Sequence, residues 1–203
     1  MTGKPDIEQI RNLPFFFIMG RPRSGTTLLR TLLDVHPQIN IPLENSGMIH
    51  LYFKYRRVKQ WPQAKINALL SDFRKLKFIE SWKLDWDSIE SDFQQASGHQ
   101  LRFHELVKLF YFHYQSEFKK EDFICLGDKS PLNSLYSREL THVFPEAKFI
   151  HLVRDYRANL ASMRKHDVFS PSRTVILMQW KKSIRQIRQL ASGQPGRFLE
   201  IRY

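Results

Sequence analysis

The 203-residue sequence is 42% hydrophobic and 26% charged, which suits one globular domain over residues 1–203 with its own apolar core. A single cysteine, Cys125, excludes an internal disulfide framework and a zinc site built from cysteines. The net charge of +12 favours an anionic ligand, a nucleic acid, a polysaccharide or an acidic membrane face.

The start of the chain carries no targeting pattern. Residues 1–14 contain no apolar signal core, and no stretch approaches the ~18–20 apolar residues that span a membrane. We therefore expect a cytoplasmic protein without a transmembrane segment. Residues 1–12 are polar, and we expect them to form a frayed lead-in to the first strand.

The first strong pattern is a strand, a tight loop and a helix. Residues 14–19 are aromatic and apolar, which is typical of a buried strand, and residues 25–35 predict a helix. Glycines between them let the backbone bend and approach a bound group, while the helix start and its dipole attract an anion. The loop therefore predicts a phosphate or sulfate site formed by Arg21, Pro22, Arg23, Ser24, Gly25, Thr26 and Thr27.

This loop differs from that of a nucleotide hydrolase. The spacing from Gly20 to Gly25 is that of a P-loop, which continues with Lys and then Ser or Thr. This chain has Thr26-Thr27 instead, so it lacks the lysine that reaches the terminal phosphates. Hydrolysis of ATP or GTP is disfavoured, and a different anion at the end of the nucleotide is indicated.

A carboxylate follows the next predicted strand. Residues 38–43 read as a short parallel return strand that ends at Glu44. Glu44 should then reach the carboxyl edge of the sheet, where the anion loop also lies and where open α/β sheets bind ligands. Two interpretations remain, a catalytic carboxylate and a surface N-cap of the following helix.

The middle of the chain predicts a helical insert packed over the sheet. Helices are expected over residues 46–58, 62–75 and 101–118. The many aromatic side chains fit either the core of this insert or the roof of an acceptor pocket. His99, His104 and His113 show no metal-ligand spacing, so no metal site is predicted.

Two further predicted strands are followed by basic residues. Residues 122–126 predict a buried strand, and Lys129 follows it in a loop before Ser130 and Pro131, which suit a helix start. Lys129 is either a solvated loop lysine or a ligand contact. Residues 147–153 predict a third strand, after which come Arg154 and, about two helical turns later, Ser162. A basic helix over 174–191 and a strand over 197–203 follow.

Two segments resemble a known family. GRPRSGTTLL, followed by LLDVHP, resembles the 5′-phosphosulfate loop of sulfotransferases that use 3′-phosphoadenosine 5′-phosphosulfate (PAPS), closest to the tyrosylprotein and bacterial branch. FPEAKFIHLVRDYRANLASM resembles the 3′-phosphate motif of the same family. The resemblance covers residues 14–45 and 122–166. It implies a three-layer α/β sandwich with a mainly parallel sheet, of the P-loop nucleoside-triphosphatase-like type.

The resemblance also implies roles for individual residues. Glu44 would be the general base, Lys129 would lie beside the sulfate, and Arg23 would join Lys129 in stabilising the transferred charge. Arg154 and Ser162 would grip the 3′-phosphate. The expected activity is sulfuryl transfer from PAPS to an acceptor hydroxyl, which leaves 3′-phosphoadenosine 5′-phosphate (PAP) and needs no metal.

Other functions and substrates stay open. A phosphoryl-transfer kinase is weakened by the missing P-loop lysine, and a non-catalytic polyanion binder by basic residues spread over several helices, so no nucleic-acid partner is expected. The acceptor could be tyrosine in an acidic peptide, a sugar, a lipid alcohol or a small phenol. Members of the resembled family continue beyond the final Arg-Tyr, so we expect the sequence to lack a C-terminal part. The oligomeric state is not specified.

Overall fold

The computed structural model describes residues 7–45, 47–96, 100–122, 124–165 and 172–203. Its α-helices are α1 (Ile7–Asn12), α2 (Thr26–Asp34), α3 (Gly47–Tyr55), α4 (Gln63–Arg74), α5 (Trp86–Ala96), α6 (Phe103–Phe112), α7 (Ser137–Val143), α8 (Tyr156–Lys165) and α9 (Arg173–Gly193). Its strands are β1 (Phe15–Met19), β2 (Ile39–Asn40), β3 (Cys125–Lys129), β4 (Lys148–Val153) and β5 (Phe198–Arg202). Short 3-10 helices cover Ile79–Trp82 and Pro131–Ser134.

The strands form a sheet in the order β2-β3-β1-β4-β5. β2 pairs with β3, and β4 pairs with both β1 and β5, each time in parallel. Parallel neighbours need crossover connections, and helices supply them here. The predicted α/β class with a mainly parallel sheet and a helical insert is confirmed. Among the residues that the structure describes, no helix is both long and apolar enough to cross a membrane.

The chain forms two compact units, and the first holds described residues of 7–15 and 33–128. Its core is aromatic, with Phe73 stacked on Phe110 and Trp82 packed edge-on against Tyr111. These four side chains are each at most 1% exposed. Of the two predicted uses for the insert's aromatic residues, core packing is therefore confirmed for them.

The lead-in prediction is wrong for residues 7–12, which form α1, and residues 1–6 lie outside the described ranges. Ile10 on this helix is 1% exposed. Arg11 donates from Nε to Glu105 Oε1 at 2.8 Å, and Lys108 Nζ donates to the carbonyls of Arg11 and Leu13. One buried apolar residue and capped carbonyls at its end therefore order a short helix whose sequence is otherwise polar.

Two predicted elements of the first unit are shorter than expected. β2 ends at Asn40 rather than residue 43, because the Ile41 N–H donates to the Asp34 side chain instead of a neighbouring strand. α6 ends at Phe112 rather than residue 118, because the Gln115 N–H donates to the carbonyl of Trp82. The predicted helix over 46–58 is α3, and its first predicted residue, Ser46, lies outside the described ranges.

β3 lies three residues later than the predicted strand over 122–126, of which Phe123 is outside the described ranges. Asp128 and Lys129 look like loop residues in the sequence, yet they are 1% and 3% exposed in the strand. Tyr111 donates from its hydroxyl to Asp128 Oδ1 at 2.7 Å, and this partner makes the buried carboxylate tolerable. Lys129 is therefore the last residue of a strand, and the predicted loop position is wrong.

The second unit holds residues 16–32 and the described part of 129–203. Phe17 stacks on Phe149, and Phe149 stacks on Phe198, so the aromatic residues of β1, β4 and β5 form one layer. The register pairs Met19 with His151 and Val153 with Arg202. The segments that follow these three strands consequently leave the same edge of this unit.

Candidate functional site

The anion loop of the second unit has an unusual backbone. Arg23 has a φ of 66° and Gly25 a φ of 89°, both in the left-handed region that side chains other than glycine disfavour. A Cβ atom on Gly25 would also lie 2.7 Å from the ring of Tyr203. Glycine at position 25 is therefore required both by the turn and by the close approach of an aromatic ring.

The helix that follows presents its N-terminal end at this loop. α2 begins at Thr26, its first turn contains no acidic residue, and the Leu29 N–H donates to the carbonyl of Gly25. The amides that precede this bond lie at the positive end of the helix dipole. The geometry therefore matches the predicted use of this segment for an anion.

The two predicted anion-binding segments meet at Arg23. Its Nε donates to Ser162 Oγ at 3.1 Å, and its carbonyl accepts a hydrogen bond of 2.8 Å from the Arg154 guanidinium. Arg23 comes from the loop after β1, whereas Arg154 follows β4 and Ser162 lies on α8. Three residues that were predicted from two separate motifs are thus brought together in one place.

Lys129 lies beside the start of α2. Its Nζ is 3.5 Å from Thr27 Oγ1, and the residue is 3% exposed. The solvated-lysine interpretation is wrong, because the side chain is buried next to a hydroxyl of the anion loop. A buried ammonium at a helix start reinforces the positive potential there.

Arg21 occupies a different environment from Arg23. It is 7% exposed, and its guanidinium donates to Gln179 Oε1 on α9 at 2.6 Å. Burial lowers the pKa of Arg21 from its ordinary value. Its predicted contact with the bound anion stays a prediction, while its hydrogen bond to Gln179 ties the loop to α9.

Several residues at this site were not predicted for it from the sequence. Asn159 on α8 is 1% exposed and donates from Nδ2 to the Pro22 carbonyl at 2.7 Å and to Ser24 Oγ at 3.2 Å. Trp180 on α9 donates from Nε1 to the Arg154 carbonyl at 3.2 Å. The Tyr203 ring centroid lies 5.1 Å from the Arg154 guanidinium. None of these contacts follows from a spacing rule, because each joins residues that are distant in sequence.

Glu44 belongs to the first unit. It is exposed, and the backbone on both sides of it is held in place. Trp82 donates from Nε1 to the Leu43 carbonyl at 2.9 Å, and buried Asn45 accepts from the Gly47 N–H at 2.7 Å. Asn45 thus accepts from the first amide of α3, and both interpretations of Glu44, the catalytic carboxylate and the N-cap, stay predictions.

Among the described residues, no group of three or more His, Cys, Asp or Glu side chains could hold a metal ion. Besides Arg21, the loop has positively charged groups from Arg23, Lys129 and Arg154 beside it. Such a cluster at a helix start binds the oxygens of phosphate or sulfate groups.

Comparison with known proteins decides the family. A model of the sulfotransferase family matches residues 14–203. The chain belongs to the sulfotransferase family. The resemblance found in the sequence is thereby confirmed over nearly the whole chain, including the helical insert that it covered only loosely.

Individual relatives of this sulfotransferase-family chain are also sulfotransferases by name. Protein-tyrosine sulfotransferase 1 of Homo sapiens and that of Danio rerio are each 30% identical to it over 153 residues. These matches cover 75% of this chain, and 34% of the human and 36% of the zebrafish protein. The chain thus spans about a third of the length of these two relatives.

A solved structure gives the same fold. The sulfotransferase domain of the Synechococcus PCC 7002 olefin synthase superposes with a TM-score of 0.58 at 24% identity. The superposition covers 94% of this chain and 66% of that domain. The predicted P-loop-like α/β fold of sulfotransferases is therefore confirmed.

Proposed function

We propose that this chain transfers a sulfuryl group from PAPS to an acceptor hydroxyl. The observation that carries this proposal is the meeting of Arg23, Arg154 and Ser162 at the start of α2. It supports one nucleotide site with two anion-binding parts, rather than two unrelated basic surfaces.

The residues present fit the two anionic ends of PAPS. The loop from Arg21 to Thr27, with Lys129 beside Thr27, has the amides, hydroxyls and cations that suit a 5′-phosphosulfate. Arg154 and Ser162 suit a 3′-phosphate, since a guanidinium makes forked, charge-assisted bonds to phosphate oxygens. Their contacts with Arg23 link the two parts.

The chemistry divides between the donor and the chain. When bound, PAPS supplies an activated sulfuryl group. Arg23, Lys129 and the loop amides stabilise negative charge that grows on oxygens held at the start of α2, and such preorganised electrostatics is usually the largest contribution to rate. Glu44 accepts the proton of the acceptor hydroxyl. A base in this position increases the rate of transfer by about 10²–10⁴-fold.

The acceptor is a hydroxyl group, and tyrosine is the first to test. The human and zebrafish relatives are named as protein-tyrosine sulfotransferases. The net charge of +12 would favour an acidic peptide around that tyrosine. A sugar and a small phenol serve as the comparison acceptors.

The experiment that tests this function is Glu44→Gln. Sulfate transfer from PAPS to an acidic tyrosine peptide is measured together with PAP affinity, and Glu117→Gln, an exposed glutamate beside Lys83, is the control. We expect Glu44→Gln to keep PAP affinity and to lose turnover by about 10²–10⁴-fold, while Glu117→Gln resembles the wild type. Unchanged turnover in Glu44→Gln would remove Glu44 as the base, and no transfer by the wild-type chain to any of the three acceptors would contradict the function.

A further inference from the structure

The anion loop is held in place by a residue that neither sequence motif predicted as a ligand contact. Asn159 is 1% exposed on α8, and its Nδ2 donates to the Pro22 carbonyl at 2.7 Å and to Ser24 Oγ at 3.2 Å. These two acceptors lie on either side of Arg23. A single amide group thus fixes both neighbours of the residue at which the two anion-binding segments meet.

Arg23 needs such support because its backbone is strained. A φ of 66° places it in the left-handed region, which costs roughly 1–2 kcal/mol for a residue with a side chain. Strained backbone persists where surrounding contacts determine it, and these positions cluster at functional sites. The bond from Asn159 to the Pro22 carbonyl, immediately before Arg23, supplies such a contact.

The second bond sets the polarity of a hydroxyl. Ser24 is 1% exposed, and its Oγ accepts from Asn159, so its own hydrogen points in another direction. A serine hydroxyl that is already an acceptor on one side is prepared to donate to an anionic oxygen on another. Asn159 therefore influences two of the predicted donor-binding residues without being one of them.

We infer that Asn159 is a positioning residue of the donor site: it holds Arg23 in its left-handed conformation and orients the Ser24 hydroxyl toward a phosphate or sulfate oxygen. This inference rests on the proposed function, because it assigns a role to Asn159 at that same site. Ser162 lies one turn further along α8, so one face of this helix contacts the whole segment from Pro22 to Ser24.

A matched control exists in the first unit. Asn40 is also buried, and its Nδ2 also donates to two oxygens, the carbonyls of Tyr111 and Tyr114, at 3.0 and 3.1 Å. Asn159→Ala and Asn40→Ala each remove an amide group that donates to two buried acceptors, which destabilises both variants by a similar mechanism. Only the first change touches the anion loop.

Two measurements on the full chain separate a positioning role from a structural one. Calorimetric titration with PAP should show roughly tenfold weaker binding for Asn159→Ala and a change of less than about twofold for Asn40→Ala. Hydrogen exchange of the peptide that covers residues 20–26 should be faster in Asn159→Ala and unchanged in Asn40→Ala. Equal effects of both substitutions on PAP affinity and loop exchange, or wild-type behaviour of Asn159→Ala, would overturn the inference.

The test stays decisive in two other cases. If Asn159→Ala does not fold, the isosteric pair Asn159→Asp and Asn40→Asp is compared in the same way, and loop exchange no faster in Asn159→Asp than in Asn40→Asp overturns the inference. If the wild-type chain does not bind PAP, the proposed function fails, whereas the exchange measurement still shows whether Asn159 orders the loop.

Discussion

Arg23 Nε donates a hydrogen bond to Ser162 Oγ at 3.1 Å, although 139 positions separate the two residues in the chain. A second bond, from Arg154 to the Arg23 carbonyl, repeats the connection. The loop after β1 and the segment after β4 are therefore hydrogen-bonded to each other at Arg23. We expect changes at this point to alter the binding of both ends of a nucleotide, and the following predictions use that expectation.

Gly25→Ala should impair the site more than the fold. Alanine at φ 89° is strained, and its Cβ would lie 2.7 Å from the Tyr203 ring, which packs on Arg154. Gly196→Ala is the control, since Gly196 has a φ of 82° but no atom within 4 Å of its Cβ position. Both variants should lose about 1 kcal/mol of stability in chemical denaturation. Only Gly25→Ala should weaken PAP binding by roughly tenfold or more. Equal PAP affinities in the two variants would show that the Tyr203 contact is not needed.

Arg154→Ala should reduce the preference for a 3′-phosphate. A charge-assisted hydrogen bond contributes about 1.5–3 kcal/mol, so PAP affinity should fall by roughly 10–100-fold while ADP affinity changes less. Arg157→Ala is the control, because Arg157 is exposed nearby and donates to the Tyr156 hydroxyl. Calorimetry with both nucleotides gives the ratio of PAP affinity to ADP affinity. If this ratio in Arg154→Ala equals that of the wild type, Arg154 is not the 3′-phosphate contact.

Lys129→Met should lower turnover more than nucleotide affinity. Methionine keeps the apolar stem of this buried side chain but removes the charge beside Thr27, which we expect to act on developing negative charge. Losing one such group costs about 10²–10³-fold in turnover. Lys148→Met is the control, because Lys148 lies at the first residue of β4 and donates to the Gly196 carbonyl. The measurement compares the turnover of both variants, from initial rates, with their affinities for PAP. A loss of affinity without a loss of turnover would assign Lys129 to binding alone.

The stability of the chain should fall on mild acidification. Burial, and next the charge of Arg102, lower the pKa of His104 from its ordinary 6.5 to about 4. The unfolded chain therefore takes up a proton at a higher pH than the folded one, and stability falls as the pH drops from 6.5 toward 4. The two pKa values correspond to a loss of roughly 3 kcal/mol. His151 acts in the same direction, because burial also lowers its pKa.

The substitution that tests this effect is His104→Gln, followed by denaturation at several pH values between 7 and 4.5. The variant should lose a large part of the pH slope. Asn40→Ala, which is destabilised without the change of a titrating group, should keep that slope. An undiminished slope in His104→Gln would place the acid sensitivity elsewhere. Glu105, whose pKa is lowered by hydrogen bonds from Arg102 and Arg11 against an opposing effect of burial, contributes only at pH values below its ordinary 4.5.

The sequence predicted the second unit better than the first. β1, α2 and β4 lie within one or two residues of their predicted ranges, because apolar runs, glycines and a proline mark their ends. Arg23, Arg154 and Ser162 were each predicted for the donor site, and the structure brings them together. Their motifs are local, and strand order alone moves such motifs to one edge of a sheet.

The failures have a common physical cause. β3 was misplaced because the partner of Asp128 is the hydroxyl of Tyr111, a residue on another helix. The sequence did not indicate Asn159, because its two hydrogen bonds are to oxygens of a loop that is distant in sequence. Long-range hydrogen bonds of this kind override local propensity, and no periodicity encodes them.

The most direct measurement of the central claim is calorimetric titration of the chain with PAP, ADP and ATP in the absence of metal. One site that grips both a 5′ and a 3′ anionic group should bind PAP selectively, with ADP and ATP at least roughly tenfold weaker. Equal binding of all three nucleotides, or tighter binding of ATP, would contradict the assignment of Arg23, Arg154 and Ser162 to a single PAPS site.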